Sequence, residues 1–176
     1  MTQDLRYPIG KFEPIQPITD STVSQWIDAI EVLPGDLQQT VADLSDAQLD
    51  TQYRPEGWTI RQVVHHLVDS HLNAYVRCKW ALTEDLPAIK TYHEDRWADL
   101  VDYRETPVKV SLDLLQALHL RWAILLRGLS NDQSRRKFQH PEWGDVDIRM
   151  TTGIYAWHGQ HHLAHITTTI SRLGWS

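Results

Sequence analysis

The sequence predicts an all-α protein that folds as a four-helix bundle. Four long segments carry apolar residues at helical spacing, and neither a run of alternating strands nor an internal repeat occurs. The length of 176 residues is typical of a single domain, which we expect to span residues 1–176. A proline-rich N-terminal arm, with short extra helices or a small extended pair in the connections, completes the predicted architecture.

The N-terminal part predicts an extended arm followed by the first helix. Residues 1–19 contain three of the eight prolines, which fix φ and remove backbone donors, so the arm should lie over other elements. The first helix should begin at a cap formed by Asp20 or Ser21. Pro34 and the glycine after it are expected to break or kink this helix, and a second helical piece should continue to about Leu44.

The rest of the chain predicts three more long helices. Thr59 is suited to cap the second, whose apolar residues from Ile60 to Leu82 lie on one side. A short helix is indicated at HEDRWADL, and the third long helix at Ser111 to Leu129. A turn-rich segment follows, with a short extended pair flanking Trp143-Gly144. The fourth long helix should run from about Thr152 to Leu173 and end at Gly174, a usual left-handed terminator.

Charge and composition disfavour several classes of protein. Seventeen Lys and Arg against 23 Asp and Glu give a net charge of -6, which argues against nucleic acid and anionic membranes as partners. Cys78 is the only cysteine, so an internal disulfide and Cys-rich metal sites are excluded. Neither a long apolar run nor a secretion signal occurs, so we expect a cytoplasmic protein that acts on a small molecule.

The segment YAWHGQHHLAHIT, residues 155–167, holds four of the ten histidines. In a helix these four rings share an arc of about 100°. Two i,i+4 pairs result, His158 with His162 and His161 with His165, and one turn of helix brings such a pair close enough to chelate one metal ion. A helix-borne pair leaves coordination positions open, so a stable site needs a further ligand from another element. A histidine-rich helix face that binds no metal is the structural alternative.

The second long helix supplies candidates for that ligand in HHLVDSH. Its apolar periodicity places His71 on the buried stripe, His66 about 100° from the stripe's centre, and His65 further out. Periodicity alone therefore favours His71 and does not select His66. No HExxH and no Glu-x-x-His motif occurs, so a ferritin-like di-iron centre is disfavoured. The remaining histidines, taken singly, are more typical of ordinary structural positions: His93, His119 and His140.

Long segments of the chain resemble the DinB/YfiT-like superfamily of metalloenzymes, and specifically the YfiT-type metal-dependent hydrolases. The matching segments span nearly the whole chain: LRYPIGKF, YRPEGWTIRQVVHHLVDSHLNAYVRCKWALTED, HLRWAILLRGL, HPEWG and YAWHGQHHLAHIT. The resemblance implies a four-helix bundle of this type. It also implies one metal ion held by three histidines, one from the second long helix and two in HxxxH spacing from the last.

Residue by residue, the resemblance implies that His66, His158 and His162 are the metal ligands. The family's first ligand stands eight residues after a helix-opening tryptophan, which here is Trp58. The HxxxH pair is then His158 and His162. This assignment overrides the preference of the periodicity for His71, because a cavity can be lined by the flank of a helical stripe.

Further residues are candidates for supporting the site. His165 stands where many relatives have glutamine, so it and His161 are predicted to hydrogen-bond the ligands, with ligation by this pair as the alternative. Asp69 could orient an imidazole or act as general base, although a solvated helix carboxylate is the commoner case. Ser70 and Asn73 share its side of the helix. Three aromatic residues could line a pocket or pack the core: Trp122, Tyr155 and Trp157.

Three neutral imidazoles would leave a divalent ion with an open coordination position, as in catalytic zinc sites. Such an ion acidifies bound water, so a metal-dependent hydrolase is the predicted function. The alternatives are a metal-dependent S-transferase or isomerase that uses a bacillithiol-like low-molecular-weight thiol, and a non-catalytic metal-binding protein. We expect one divalent ion per subunit, zinc with nickel as the alternative, and the resemblance suggests a homodimer.

Overall fold

The computed structural model describes residues 4–175 and confirms the four-helix bundle. Its long helices are α1, α3, α6 and α8, and α1 and α3 each pack between α6 and α8. In chain order the elements are α1 (Asp20–Val41), α2 (Asp46–Leu49), α3 (Ile60–Thr83), α4 (Glu94–Ala98), α5 (Val101–Glu105), α6 (Val108–Arg127), α7 (Asn131–Ser134), β1 (Lys137–His140), β2 (Gly144–Asp147) and α8 (Ile148–Leu173).

The first helix differs from its prediction at both ends and in its middle. Thr19, one residue earlier than expected, caps α1 by accepting a hydrogen bond from the Thr22 amide. The helix also continues through Pro34 to Val41, so the proline neither ends it nor divides it. Leu33 and Pro34 are buried in the bundle, and this tertiary packing outweighs the low helix propensity of proline.

The starts of the other long helices follow their caps. The predicted cap at Thr59 is confirmed, and it forms a reciprocal capping box with Gln62. The helix predicted at Ser111 begins earlier, at Val108, directly after Pro107, which holds the N-cap position without a side-chain cap hydrogen bond. The helix predicted from Thr152 begins at Ile148, because Asp147 caps it through the Met150 amide.

The connections form a cover at one side of the bundle. The predicted extended pair is confirmed as the antiparallel strands β1 and β2, and the helix predicted at HEDRWADL is confirmed as α4. The Ile89 amide donates to the Gln139 carbonyl, which joins the preceding loop to the hairpin. The N-terminal arm lies against α8, where the Arg6 carbonyl meets His165 and the Ile18 carbonyl meets Arg149.

Two packed clusters form the core, one around Ile30 and Trp122 and one around Leu37, Leu67 and Leu115. Among the helices of residues 4–175, none combines the length and apolar character needed to cross a membrane. The buried histidines of the polar interior lie where α3 and α8 meet.

Candidate metal centre

Three histidines from two helices meet at one point of the bundle. His66 of α3 and His158 and His162 of α8 each place a ring nitrogen within 4.8 Å of the other two. The Nε2 atoms of His66 and His158 are 3.3 Å apart. Two ligands bonded to a tetrahedral zinc at about 2.05 Å stand about 3.3 Å apart, so this spacing fits a shared ion. In residues 4–175, no other group of three ligand-type side chains closes to this distance.

Burial keeps these rings neutral, which is the form that binds metal. Desolvation lowers the pKa of His66 to about 3. It also lowers the pKa values of His158 and His162 well below the usual range, and the neighbouring rings of the cluster lower them further. At neutral pH a metal ion therefore has no imidazolium proton to displace at these three residues.

A chain of hydrogen bonds leads from His158 into the core. His158 Nδ1 lies 3.2 Å from His71 Nε2, and His71 Nδ1 lies 2.8 Å from His119 Nε2. The chain ends where His119 Nδ1 contacts the backbone carbonyl of Ile30 at 2.5 Å. His71 and His119 are both fully buried, and desolvation lowers the pKa of both rings, that of His119 to about 4.

Pro34 explains why the Ile30 carbonyl is free to accept this bond. In an α-helix the carbonyl of residue 30 would accept the amide N–H of residue 34, and proline has none. The proline that the sequence marked as a break in α1 instead leaves an acceptor inside a continuous helix. His119 of α6 fills that acceptor from the neighbouring element.

A second chain leads from His162 to the N-terminal arm. His162 Nδ1 lies 3.3 Å from His165 Nδ1, and His165 Nε2 lies 3.2 Å from the Arg6 carbonyl. The His165 ring also stacks on Tyr53, with ring centroids 4.0 Å apart. The arm thus takes part in the site through its backbone.

The two terminal carbonyls determine where the protons sit. A carbonyl only accepts, so His119 Nδ1 and His165 Nε2 must each carry a proton, and a neutral ring carries only one. His119 Nε2 then accepts from His71 Nδ1–H, and His71 Nε2 accepts from His158 Nδ1–H. By the same reasoning His165 Nδ1 accepts from His162 Nδ1–H. The Nε2 atoms of His158 and His162 are left with free lone pairs.

His66 is held differently from the other two histidines. Its ring packs against Trp58, with centroids 4.5 Å apart, and its buried Nδ1 has no hydrogen-bond partner in residues 4–175. Packing against Trp58 and the 3.3 Å contact of its Nε2 with His158 Nε2 therefore orient this ring. The helix-opening tryptophan that located His66 in the sequence is also its nearest aromatic support.

The three histidines line a cavity of about 580 Å³. Its walls include residues from α3, α8, the loop before α4 and the β1–β2 hairpin. Ser70, Trp157 and Tyr155, all singled out in the sequence, face this cavity, whereas Trp122 is fully buried in the core. The hairpin contributes His140 and Trp143, whose rings stack 4.3 Å apart.

The structure places only some of the other candidate residues at the cavity. His161 lines the cavity and stacks on Trp157, but within residues 4–175 it bonds neither His158 nor His162. Asp69 accepts a hydrogen bond from the Tyr103 hydroxyl at 2.6 Å and is absent from the cavity wall. Asn73 bonds the Asp69 backbone carbonyl.

One expectation from single-residue reasoning was wrong. His65, predicted furthest from the core, is buried, and its Nδ1 bonds the Ser111 hydroxyl at 2.7 Å. It is covered because α5 and α6 pack on that side of α3. His119 and His140 occupy structural positions as expected, because both are buried and hydrogen-bonded to backbone groups. His119 also continues the His158 chain, and His140 also lines the cavity.

The lowered pKa values predict a loss of stability in mild acid. Each histidine held neutral in the fold but protonated once unfolded, with an unfolded pKa near 6.5, favours unfolding as the pH falls below that value. We expect the free energy of unfolding in the presence of EDTA to decrease by about 1.4 kcal/mol per pH unit for each such ring between about pH 6.5 and pH 4. Urea unfolding at several pH values measures this slope.

The control for this slope is His93→Gln, because His93 is exposed. This variant should keep the slope, whereas His71→Phe should reduce it. A free energy of unfolding that stays constant across this pH range would contradict the neutral assignment of the cluster.

Comparisons with known proteins agree with this architecture. The sequence profile of the DinB superfamily matches residues 29–166. A protein of Oceanobacillus iheyensis named "Putative metal-dependent hydrolase" is 54% identical over 97% of this chain and 98% of its own length. A Bacillus cereus protein of the same name is 52% identical over 98% of this chain and 99% of its own.

Solved structures give the same result. YfiT from Bacillus subtilis, described as "a probable metal-dependent hydrolase with an unusual four-helix bundle topology", superposes with a TM-score of 0.95 at 47% identity, covering 98% of this chain and 99% of its own. The four-helix bundle protein TT2238 shares the fold at a TM-score of 0.58 and 18% identity, over 84% of this chain and 99% of its own. On the profile match and these identities, the chain belongs to the DinB superfamily.

Proposed function

We propose that the protein is a metal-dependent hydrolase whose divalent ion, zinc, is held by Nε2 of His66, His158 and His162. The observation that carries the proposal is the pair of histidine chains that end on the carbonyls of Ile30 and Arg6. Both chains put the proton on Nδ1 of a proposed ligand and leave its Nε2 lone pair free. Partners of this kind orient metal-binding histidines and raise their basicity.

Three imidazoles fit a catalytic rather than a closed structural zinc site. When bound, the ion supplies Lewis acidity, which polarises a substrate carbonyl or phosphoryl group and acidifies a water molecule. The names of the relatives, "Putative metal-dependent hydrolase" and "a probable metal-dependent hydrolase", support this choice of reaction. The cavity beside the three histidines provides room for a small-molecule substrate.

The chain's own residues restrict the mechanism further. Burial raises the pKa of the Cys78 thiol to about 12, so the single cysteine is not a nucleophile. His161 lines the cavity, and its buried Nδ1 has no partner among the described residues. We assign to the His161 imidazole the role of taking up a proton during hydrolysis. Asp69, bonded to Tyr103 away from the cavity, is not proposed as the base.

Activity screening of the zinc-loaded protein tests the reaction type. We expect hydrolysis of small esters or amides without any added thiol, and a loss of more than about 100-fold in kcat/KM after chelation of the metal. His161→Gln should lower kcat with little change in metal content. Turnover that requires a low-molecular-weight thiol and transfers it to an electrophile would contradict hydrolysis and support the S-transferase alternative.

The homodimer and the cytoplasmic location stay predictions from the sequence. Fifteen large apolar side chains in residues 4–175 are exposed, among them Leu120 and Ile124 on one face of α6. We propose that this face contributes to a subunit interface. Sedimentation of the wild type and of Ile124→Glu measures this, and identical monomeric behaviour of both would contradict it.

A further inference from the structure

Arg77 is a buried cation in the wall of the metal cavity. It lies about three helical turns after His66 on the same face of α3, and helical side chains lean toward the N-terminus, so its guanidinium extends back toward His66. Only 8% of the residue is exposed. The cavity it lines also contains His66 and His158. Arg77 therefore places a positive charge at the far end of the proposed reaction site.

The guanidinium of Arg77 has few partners of its own. One Nη2–H donates to the Lys90 carbonyl at 3.1 Å, which uses one of five donors. Within residues 4–175 no carboxylate forms an ion pair with it. Arg149, the other fully buried arginine of residues 4–175, pairs with Asp20. Of the two half-buried arginines, Arg61 pairs with Asp46 and Asp50, whereas Arg54 bonds the Tyr53 hydroxyl and the Pro55 carbonyl.

The missing partner of Arg77 is unusual because buried charges are normally paired. Its remaining nitrogens are not among the enclosed unsatisfied atoms, so they open toward the cavity. Neutral polar groups surround this part of the wall: Ser70, Tyr92, Tyr155 and His140. Burial lowers the pKa of His140 and raises that of Tyr155, and the positive charge of Arg77 makes a smaller downward contribution to both.

We propose that Arg77 is an oxyanion-binding residue, and that the substrate is a small molecule with a carboxylate or phosphate at one end and its reacting bond at the three-histidine end. The proposal rests on the proposed function for the position of the reacting bond. A guanidinium fork binds such groups through two parallel N–H···O bonds. Glu94 and Glu142 lie on the rim of the cavity but are exposed, so water screens their charges far more than that of Arg77.

Calorimetric titration with two probes, glutarate and inorganic phosphate, tests the anion site. Each is titrated into the full chain after EDTA treatment, so that only the protein's own residues bind it. We expect saturable binding of at least one probe, weakened about tenfold or more in Arg77→Met and partly restored in Arg77→Lys. Arg96→Met is the control, because it removes the same charge from an exposed position and should leave binding unchanged.

The probes and the metal give separable outcomes. Stronger dependence of glutarate than of phosphate on Arg77 identifies a carboxylate substrate, and the reverse identifies a phosphate. The anion site is overturned if the wild type and Arg77→Met bind the probes with equal affinity, provided that circular dichroism shows the variant to be folded. This holds even when zinc binds stoichiometrically. Arg77-dependent binding in a protein that fails to bind zinc overturns the metal centre and keeps the anion site.

Discussion

Replacement of His66 by alanine is expected to abolish stoichiometric zinc binding. His66 is the only proposed ligand from α3, and its Nε2 lies 3.3 Å from that of His158. The pair left on α8 would bind a metal ion through one helical turn, with two coordination positions open to water. We expect the dissociation constant for zinc to rise by more than the 10–100-fold that loss of an outer contact causes. Competition with a chromophoric chelator measures it.

His65→Ala is the matched control for His66→Ala. It removes the neighbouring imidazole, which is equally buried but bonds Ser111 rather than the cluster. This variant should be less stable than the wild type and should still bind one zinc ion per chain. Full zinc content in His66→Ala, with the fold intact by circular dichroism, would show that the ligand assignment is wrong.

Replacement of His119 by leucine is expected to weaken zinc binding although His119 does not touch the metal site. The change leaves the Ile30 carbonyl and the His71 Nδ1–H without partners in the core. Each unpaired buried group costs about 1–3 kcal/mol of stability. The chain then no longer fixes the proton of His158 on Nδ1, so its Nε2 lone pair is less available. The dissociation constant for zinc should therefore rise about 10–100-fold.

His119→Gln separates positioning from packing. A glutamine offers one acceptor for His71 and one donor for Ile30, so it should restore much of the zinc affinity that leucine loses. Long-range proton–nitrogen correlation spectra of the metal-free protein should show the His158 proton on Nδ1 in the wild type. A His158 proton on Nε2 in the wild type would contradict the proposed role of the hydrogen-bond chain. Equal zinc affinity in His119→Leu and the wild type would contradict it as well.

The sequence predicted the parts of the site that depend on local spacing. The HxxxH arrangement puts His158 and His162 on one face of α8, and this face follows from helical geometry alone. The assignment of His66 as a ligand came from the family resemblance, because the apolar stripe of α3 favoured His71. In the structure both rings are buried, since α6 and α8 enclose α3 on two sides. A single stripe does not describe a helix that is enclosed in this way.

The hydrogen-bond chain from His158 to His119 and the anion site at Arg77 could be recognised only from the fold. The sequence marked Pro34 only as a break or kink, and His119, which bonds the carbonyl that Pro34 frees, lies in another helix. Only the packing of α1 against α6 brings that pair together. Arg77 was visible as a charge among the apolar residues of α3, but its lack of a carboxylate partner becomes apparent only when every ion pair of the described chain is known.

The most direct test of the three-histidine metal centre is anomalous diffraction from crystals of the zinc-loaded protein, recorded on both sides of the zinc edge. The proposed centre predicts one strong peak per chain, about 2.0–2.1 Å from Nε2 of His66, His158 and His162. A peak held by His161 and His165, or no zinc peak within the bundle, would contradict it.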